Sequence, residues 1–184
     1  MPYYRVRRRG VKGRNYRIPH GMPYTRREYI AGAPHAKVAK YSTGTPSGDY
    51  DVKLQLISNE RAQIRDNALE ATRVAINKNM GRLGERSFYL VLKAHPHVVL
   101  RENKMIATAG ADRLQEGMRK AFGKCVGLAA RVSPGTVIFE LSVKREHVAK
   151  AKKILKSASN KLPVTTTIKE VQLKPMAQVE GEVA

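Results

Sequence analysis

The sequence predicts an α+β fold: a two-layer sandwich with two helices packed on a mainly antiparallel sheet, a long basic N-terminal extension and a long internal loop. Three observations predict it. Strand-like alternation and helical periodicity follow one another in the order strand, helix, strand, insertion, two strands, helix, strand. The first forty-eight residues hold eleven Lys and Arg against one acid, Glu28, and none of them sustains either period. Residues 100–127, LRENKMIATAGADRLQEGMRKAFGKCVG, show no period in their first half although strand-like sequence flanks them.

The elements follow in chain order. Val52, Leu54 and Leu56 alternate with Lys53 and Gln55, the pattern of a half-buried strand. A helix is expected from about Asn59 to Asn79, capped by Ser58 or Asn59. At 100° per residue its apolar side gathers Ile64, Ala68, Ala71 and Ala75, flanked by Leu69 and Ile76, with Asp66, Glu70 and Arg73 opposite. Arg65 projects toward the apolar side, either as a packed stem with an exposed head or as a charge delivered to a phosphate beside the helix start. Gly81 and Gly84 end the helix. Phe88, Leu90, Leu92 and Ala94 mark the next strand. VGLAARV and TVIFELSV form two more, joined by a turn at Ser133, Pro134 and Gly135. A second helix near Glu146 to Lys161 sets Val148, Ala151, Ile154, Leu155 and Ala158 on one face and Lys150, Lys152, Lys153, Lys156 and Lys161 on the other. No acid stands between His147 and Lys169. VTTTIKEV supplies the last strand. These elements divide the chain into a basic extension at 1–48, a core domain at 49–172 containing a functional loop at 101–124, and a flexible tail at 173–184.

The chain has 184 residues, 42% of them hydrophobic, enough for one domain with its own core. Thirty-five Lys and Arg against fifteen Asp and Glu leave a formal charge of +20, which favours polyanionic partners. Half of that excess lies in residues 1–48, where arginine is interleaved with tyrosine; seven of the eight tyrosines fall within the first fifty residues. Arginine neutralises phosphate, and tyrosine offers a flat face for stacking or a hydroxyl for a phosphate oxygen. No apolar run approaches the length that spans a bilayer, and no apolar core follows the N-terminal arginines, so neither membrane nor secretion is expected. One cysteine, Cys125, excludes an internal disulfide framework and makes a reducing cytoplasm the default.

Catalytic motifs do not assemble. Gly117 and Gly123 enclose five residues where a phosphate-binding loop has four, and Lys124 is followed by Cys125 where that loop needs Ser or Thr. His95 and His97 share a strand face but have no third ligand at fixed spacing, so no metal is expected. Glu102 and Asp112 each lie beside a basic residue and Glu116 lies three from Arg113 and Arg119, which favours local ion pairs over acid–base work. No enzyme and no cofactor are expected. A free RNA-binding regulator or RNA-modifying enzyme would need a cofactor fingerprint. A peripheral membrane protein would need large apolar residues on a basic helix. Neither feature is present.

Specific runs of residues carry more than the statistics. Tyr24-Thr25-Arg26-Arg27-Glu28-Tyr29-Ile30 is followed by Gly32, Pro34 and Lys37; Gln63-Ile64-Arg65 by Ala68-Leu69-Glu70-Ala71 and Arg73. Then come Leu100-Arg101-Glu102-Asn103-Lys104-Met105, Ala109-Gly110-Ala111-Asp112-Arg113, and Gly117-Met118-Arg119 through Ala121-Phe122-Gly123-Lys124. Ala130-Arg131-Val132 and Lys161-Leu162-Pro163 complete the series. Over about Tyr24 to Val171 the chain closely resembles the universal large-subunit ribosomal protein sixteen family, in its archaeal and eukaryotic form, ribosomal protein ten-e. The resemblance implies an α+β sandwich whose basic segments thread into large-subunit ribosomal RNA. It implies a place between the peptidyl-transferase centre and the transfer RNA elbow, near the small ribosomal RNA of the large subunit and neighbouring ribosomal proteins. It also implies a structural part in transfer RNA accommodation and late subunit maturation, with no membrane and no homo-oligomer.

The expected ribosomal RNA contacts are Tyr24, Arg26, Arg27, Lys37, Lys40, Arg65, Arg73, Arg119, Lys120 and Lys124, together with Arg5, Arg7, Arg8 and Arg9, which are expected from the charge of the extension because family contacts do not carry over to residues 1–23. Within the family, the loop at residues 104–115 extends toward transfer RNA, which makes Lys104, Met105, Gly110 and Arg113 its expected contacts. Residues 104–111 would be the reaching tip and 112–122 a short returning helix. The chain departs from the family pattern at PYYRVRRRGVKGRNYRIPHG, at Cys125 where proline is usual, and in the tail containing Glu180 and Glu182.

Overall fold

The computed structural model of the chain describes residues 30, 32–84, 87–102 and 123–173. The described elements are β1 (Ser42–Gly44), β2 (Val52–Ser58), β3 (Ala62–Arg65), α1 (Asp66–Gly81), β4 (Phe88–Leu92), β5 (Val98–Glu102), β6 (Lys124–Val132), β7 (Val137–Val143), α2 (Val148–Ser159) and β8 (Thr166–Gln172). A single 3-10 turn, Arg145–His147, leads into α2. The strands form a five-stranded sheet in the order β1-β4-β7-β2-β8 and a three-stranded sheet in the order β3-β6-β5. All described pairings are antiparallel. The class is the α+β sandwich that the sequence predicts, with the strands shared between two sheets.

Alternation builds the large sheet. Val52, Leu54 and Leu56 of β2 pair with Val143, Leu141 and Phe139 of β7, which in turn oppose Phe88, Leu90 and Leu92 of β4. All nine side chains are buried and form one apolar sheet face. The helices close over it. α1 contributes Leu69, Ile76 and Met80, and α2 contributes Ala151, Leu155 and Ala158, with Val148 and Ile154 packed at the margin. Leucine, isoleucine or phenylalanine fully buried in this way is worth about 1.5–3 kcal/mol per side chain.

The two sheets are joined by a corner that two strands turn together. Ile57 opposes Val137 on the β2–β7 pair, and Ala62 opposes Val132 on the β3–β6 pair, so the partner offset is the same before and after the corner. Within the corner the Ser58 N–H donates to the Thr136 carbonyl at 2.9 Å, and the Gly135 N–H donates to the Ser58 carbonyl at 2.9 Å. Gly135 holds φ at 88°, the left-handed conformation that this turn needs. Glu60 ties the corner to the start of β8, its Oε1 accepting from the Thr165 hydroxyl at 2.7 Å.

This corner corrects the expected start of the first helix. Residues 59–65 form a turn and β3, and α1 begins only at Asp66. Ser58 serves the turn and not a cap: its hydroxyl donates to the Glu60 carbonyl at 2.8 Å. Ile64, expected on the helix, faces the core from a strand. The buried stripe of α1 therefore runs through Leu69, Thr72, Ile76 and Met80; Ala71 is exposed and Ala68 and Ala75 only half-buried. Three short strands, β1, β3 and β5, are additional to the five expected.

Residues 38–50 are built into the body. Val38 and Tyr50 are buried, Tyr41 packs against the core and against the His95 ring (centroids 5.2 Å apart), and β1 extends the large sheet along β4. Gly44 ends β1 at φ 99°, where a Cβ would stand 2.1 Å from the Phe88 carbonyl oxygen. Gly44→Ala is expected to lower stability in urea by about 2–4 kcal/mol, combining left-handed strain with a backbone clash. Gly135→Ala, with no neighbour within 4 Å of its Cβ, is expected to cost only about 1 kcal/mol. Equal losses at the two positions would contradict the packing at β1.

Candidate nucleic-acid interface

The small sheet has two unlike faces. Ala62 and Ile64 of β3, with Ala130 and Val132 of β6, point into the main core. On the other face Gln63 opposes Arg131 and Arg65 opposes Ala129, and Gly127 follows along β6. A Cβ on Gly127 would stand 3.9 Å from Arg65 Nη2 and 4.0 Å from Asp66 Oδ1, so the Arg65 guanidinium lies across this glycine beside the start of α1. Arg65 and Arg131 are both half-buried. Gln63 Oε1 is buried without a hydrogen-bond partner among the described residues.

The segment leading out of the basic extension is fastened along α1. Asp66, at the helix start, accepts from its own Asn67 N–H at 2.8 Å and from the Lys37 N–H at 3.1 Å. One turn later Glu70 Oε2 accepts from the Ala39 N–H at 3.3 Å. Arg73 closes the series: its Nε and Nη2 donate to the two Glu70 oxygens at 2.9 and 2.6 Å, and its Nη1 donates to the Thr43 hydroxyl at 3.4 Å. Asp66, Glu70 and Arg73 thus form the polar helix face expected opposite the core, and chain from residues 37–43 covers it. The backbone is held while the Lys37 and Lys40 side chains stay exposed.

Charge states follow from these contacts. The hydrogen bond from Arg73 pulls the Glu70 carboxyl below its ordinary value of 4.5, against the opposing effect of burial. The same bond raises the Arg73 pKa. Tyr41 is pushed above 10.0 by burial first and by the Asp66 charge second, so its hydroxyl stays neutral.

Both long segments of the sequence spring from this region. Ile30 packs on Val99 of β5 and Leu128 of β6 in a small cluster of its own, flanked by Ala33, Ala36 and Cys125. Glu102, the last residue of β5, opposes Lys124, the first of β6, so the internal loop leaves and returns at paired positions. Lys124 is exposed there.

A family model for ribosomal protein L16p/L10e matches residues 19–169. The chain belongs to the ribosomal protein L16p/L10e family. Among its relatives, the large ribosomal subunit protein uL16 of Staphylothermus marinus is 53% identical over 156 residues, covering 84% of this chain and 90% of that protein. The protein of the same name from Hyperthermus butylicus is 51% identical over 159 residues, covering 86% and 88%. That of Saccharolobus islandicus is 48% identical over 169 residues, covering 90% and 95%. Membership of the L16p/L10e family makes the chain a structural component and not an enzyme.

Of the contacts expected for an L16p/L10e protein, Lys37, Lys40, Arg65 and Lys124 stand around the small sheet and the start of α1. Arg73 is near them but buried, 8% exposed, with its guanidinium engaged by Glu70 and Thr43. It positions the segment that carries Lys37 and Lys40. Arg5, Arg7, Arg8, Arg9, Tyr24, Arg26, Arg27, Lys104, Met105, Gly110, Arg113, Arg119 and Lys120 lie outside the described residues, as do the expected tip and returning helix. Sequence reasoning passed over Arg131 and Gln63 as site residues. The alternation of ARV against AQIR held the signal, since it places Arg131 and Gln63 opposite their apolar neighbours. Tyr41 and Tyr50, the described tyrosines of the basic region, serve the core.

Glu70→Gln is expected to destabilise the fold by about 1–3 kcal/mol at pH 7, because it leaves the buried Arg73 charge short of its partner. The lowered folded pKa fixes the sign: stability from this pair is complete above the unfolded pKa and is lost as pH falls through the folded one. Denaturation between pH 3 and 7 should give the wild-type chain a steeper acid-side loss than Glu70→Gln. Parallel curves would show that the pair contributes nothing.

Proposed function

We propose that this chain is a structural constituent of the large ribosomal subunit that binds its ribosomal RNA in the cytoplasm and supports transfer RNA accommodation near the peptidyl-transferase centre. The observation that carries this reading is the family match across residues 19–169, together with relatives about half identical over nearly their whole length, each named a large ribosomal subunit protein. The chemistry agrees. A charge of +20 supplies affinity for phosphate by releasing counterions, and the cations need no catalytic partner.

In this reading Lys37, Lys40, Lys124, Arg65 and Arg131 line the body side of the interface. Lysines act as point charges on phosphates, and the arginines present planar forks to them. The part of the basic extension that precedes the segment fastened to the body threads into ribosomal RNA with Arg5, Arg7, Arg8, Arg9, Tyr24, Arg26 and Arg27. The loop at 104–115 reaches toward transfer RNA with Lys104, Met105, Gly110 and Arg113, and Arg119 and Lys120 meet RNA on its return. The small ribosomal RNA of the large subunit and neighbouring ribosomal proteins complete the surroundings.

Lysate sedimented through high salt should carry the protein with large subunits; recovery in the soluble fraction away from them would overturn the reading. Deleting residues 104–115 is expected to leave folding and subunit binding intact while slowing translation. If the deletion abolishes folding, the segment belongs to the core and its proposed reach toward transfer RNA is wrong.

A further inference from the structure

The solvent face of α2 is not used by the interface described above. Lys150, Lys152, Lys153 and Lys156 crowd two of its turns, and all four are exposed. Lys152 is satisfied from within the fold, its Nζ lying 2.5 Å from Glu170 Oε2 on β8. Among the described residues no carboxylate pairs with Lys150, Lys153 or Lys156. Glu146, in the turn before the helix, forms no ion pair with any described residue either. α2 has no acidic residue of its own. Lys150, Lys153 and Lys156 are spaced i, i+3 and i+6, and Lys152 and Lys156 are i, i+4, so like charges repel along the whole face. A helix arranged this way gains when an external polyanion neutralises the row.

We propose that this lysine ridge is a second RNA-docking surface, one that takes the phosphate backbone of a double-stranded segment. The proposal rests on the ribosomal RNA reading above and assigns a further site within it. Three features favour a duplex backbone. The ridge rises about 4.5 Å per lysine and turns by about 60° at each step, so three ammonium groups wind around the helix over about 9 Å of rise, as a groove-following backbone does. The residues flanking it, Ala149 and Ser157, are small, so a rigid backbone can approach its two ends closely. It carries no aromatic ring and no arginine, so it lacks the stacking surface that single-stranded bases require. The extension differs on this point, because it mixes tyrosine with arginine.

Position makes the ridge a separate site. α2 packs against α1, β2 and β8. The Lys37–Thr43 segment is bound to α1 through Asp66, Glu70 and Arg73. The first helix therefore stands between the two basic surfaces, and the body can clamp two RNA segments at once.

The test uses the full chain with Lys150→Gln, Lys153→Gln and Lys156→Gln combined, against deproteinised large-subunit ribosomal RNA over a salt series. A second variant combines Lys37→Gln, Lys40→Gln and Lys124→Gln. The ridge variant should bind more weakly and flatten the slope of log K against log salt by about 2–3, one unit or slightly less per lost phosphate contact. Its melting temperature should be unchanged or higher, because repulsion is relieved. The two sets combined should show both losses. If the ridge variant keeps the wild-type affinity and slope while the second set weakens binding, the ridge is not an RNA surface and the proposed function stands. If neither set weakens binding, the ridge is overturned together with the body-side interface; if the wild-type chain itself does not bind the RNA, the ribosomal RNA reading fails. With short probes, the ridge variant should lose affinity for a mixed-sequence RNA duplex and keep it for oligouridylate; the reverse pattern overturns the duplex assignment.

Discussion

Everything in this molecule depends on two strand runs staying in register around a corner. β2 continues into β3 and β6 continues into β7; the β2–β7 pairing shifts by one residue between Leu56 and Ile57, and the offset it reaches there, Ile57 opposite Val137, is the one that β3–β6 keeps beyond the Ser58–Gly135 turn. A slip of one residue would reverse every side chain. Leu54, Leu56, Leu141 and Phe139 would leave the core, and Arg65 and Arg131 would enter it. The core and the basic face are thus coupled through the shift at Leu56–Ile57 and the corner beyond it, and selection for a dry interior also fixes where the charges emerge.

The sequence was most legible where burial is one-sided and continuous. β2, β4, β7 and α2 alternate or repeat cleanly because one face meets core and the other water. The start of α1 was misread for a physical reason. Ala62 and Ile64 are two apart, which suits a strand, yet Ile64 and Ala68 are four apart, which suits a helix, and Ser58 is as fit for a turn as for a cap. Only the pairing with β6, nearly seventy residues away, decides between them. The polar face of α1 was read correctly as polar but not as covered, because its cover comes from residues 37–43 and a local window cannot contain them. Lys37, Lys40, Arg65 and Lys124 were legible through their resemblance to a family. Their grouping around one small sheet was not, since grouping is a property of topology.

Six of the described acids of this basic chain are used as fasteners. Asp51 accepts from the Arg145 N–H, Glu60 holds Thr165, Asp66 and Glu70 hold the segment from Lys37 to Ala39, Glu140 gathers Lys53, Gln55 and Lys93, and Glu170 holds Lys152. Each of these six carboxylates makes a contact that closes the fold. The surface that remains is positive without depending on RNA to keep the body folded. A body stabilised this way can form first and present its cations afterwards.

The pairing of Glu102 with Lys124 also has a mechanical side. Two ends of a loop anchored at facing positions share any load as a peeling force on β5 and β6, opening one rung at a time from the exit. The clusters behind respond in turn: Ile30, Val99 and Leu128 lie nearest the exit and would yield first, while the large sheet lies beyond the corner and the core that the two sheets share. The small sheet therefore behaves as a fuse between a reaching segment and a stiff base.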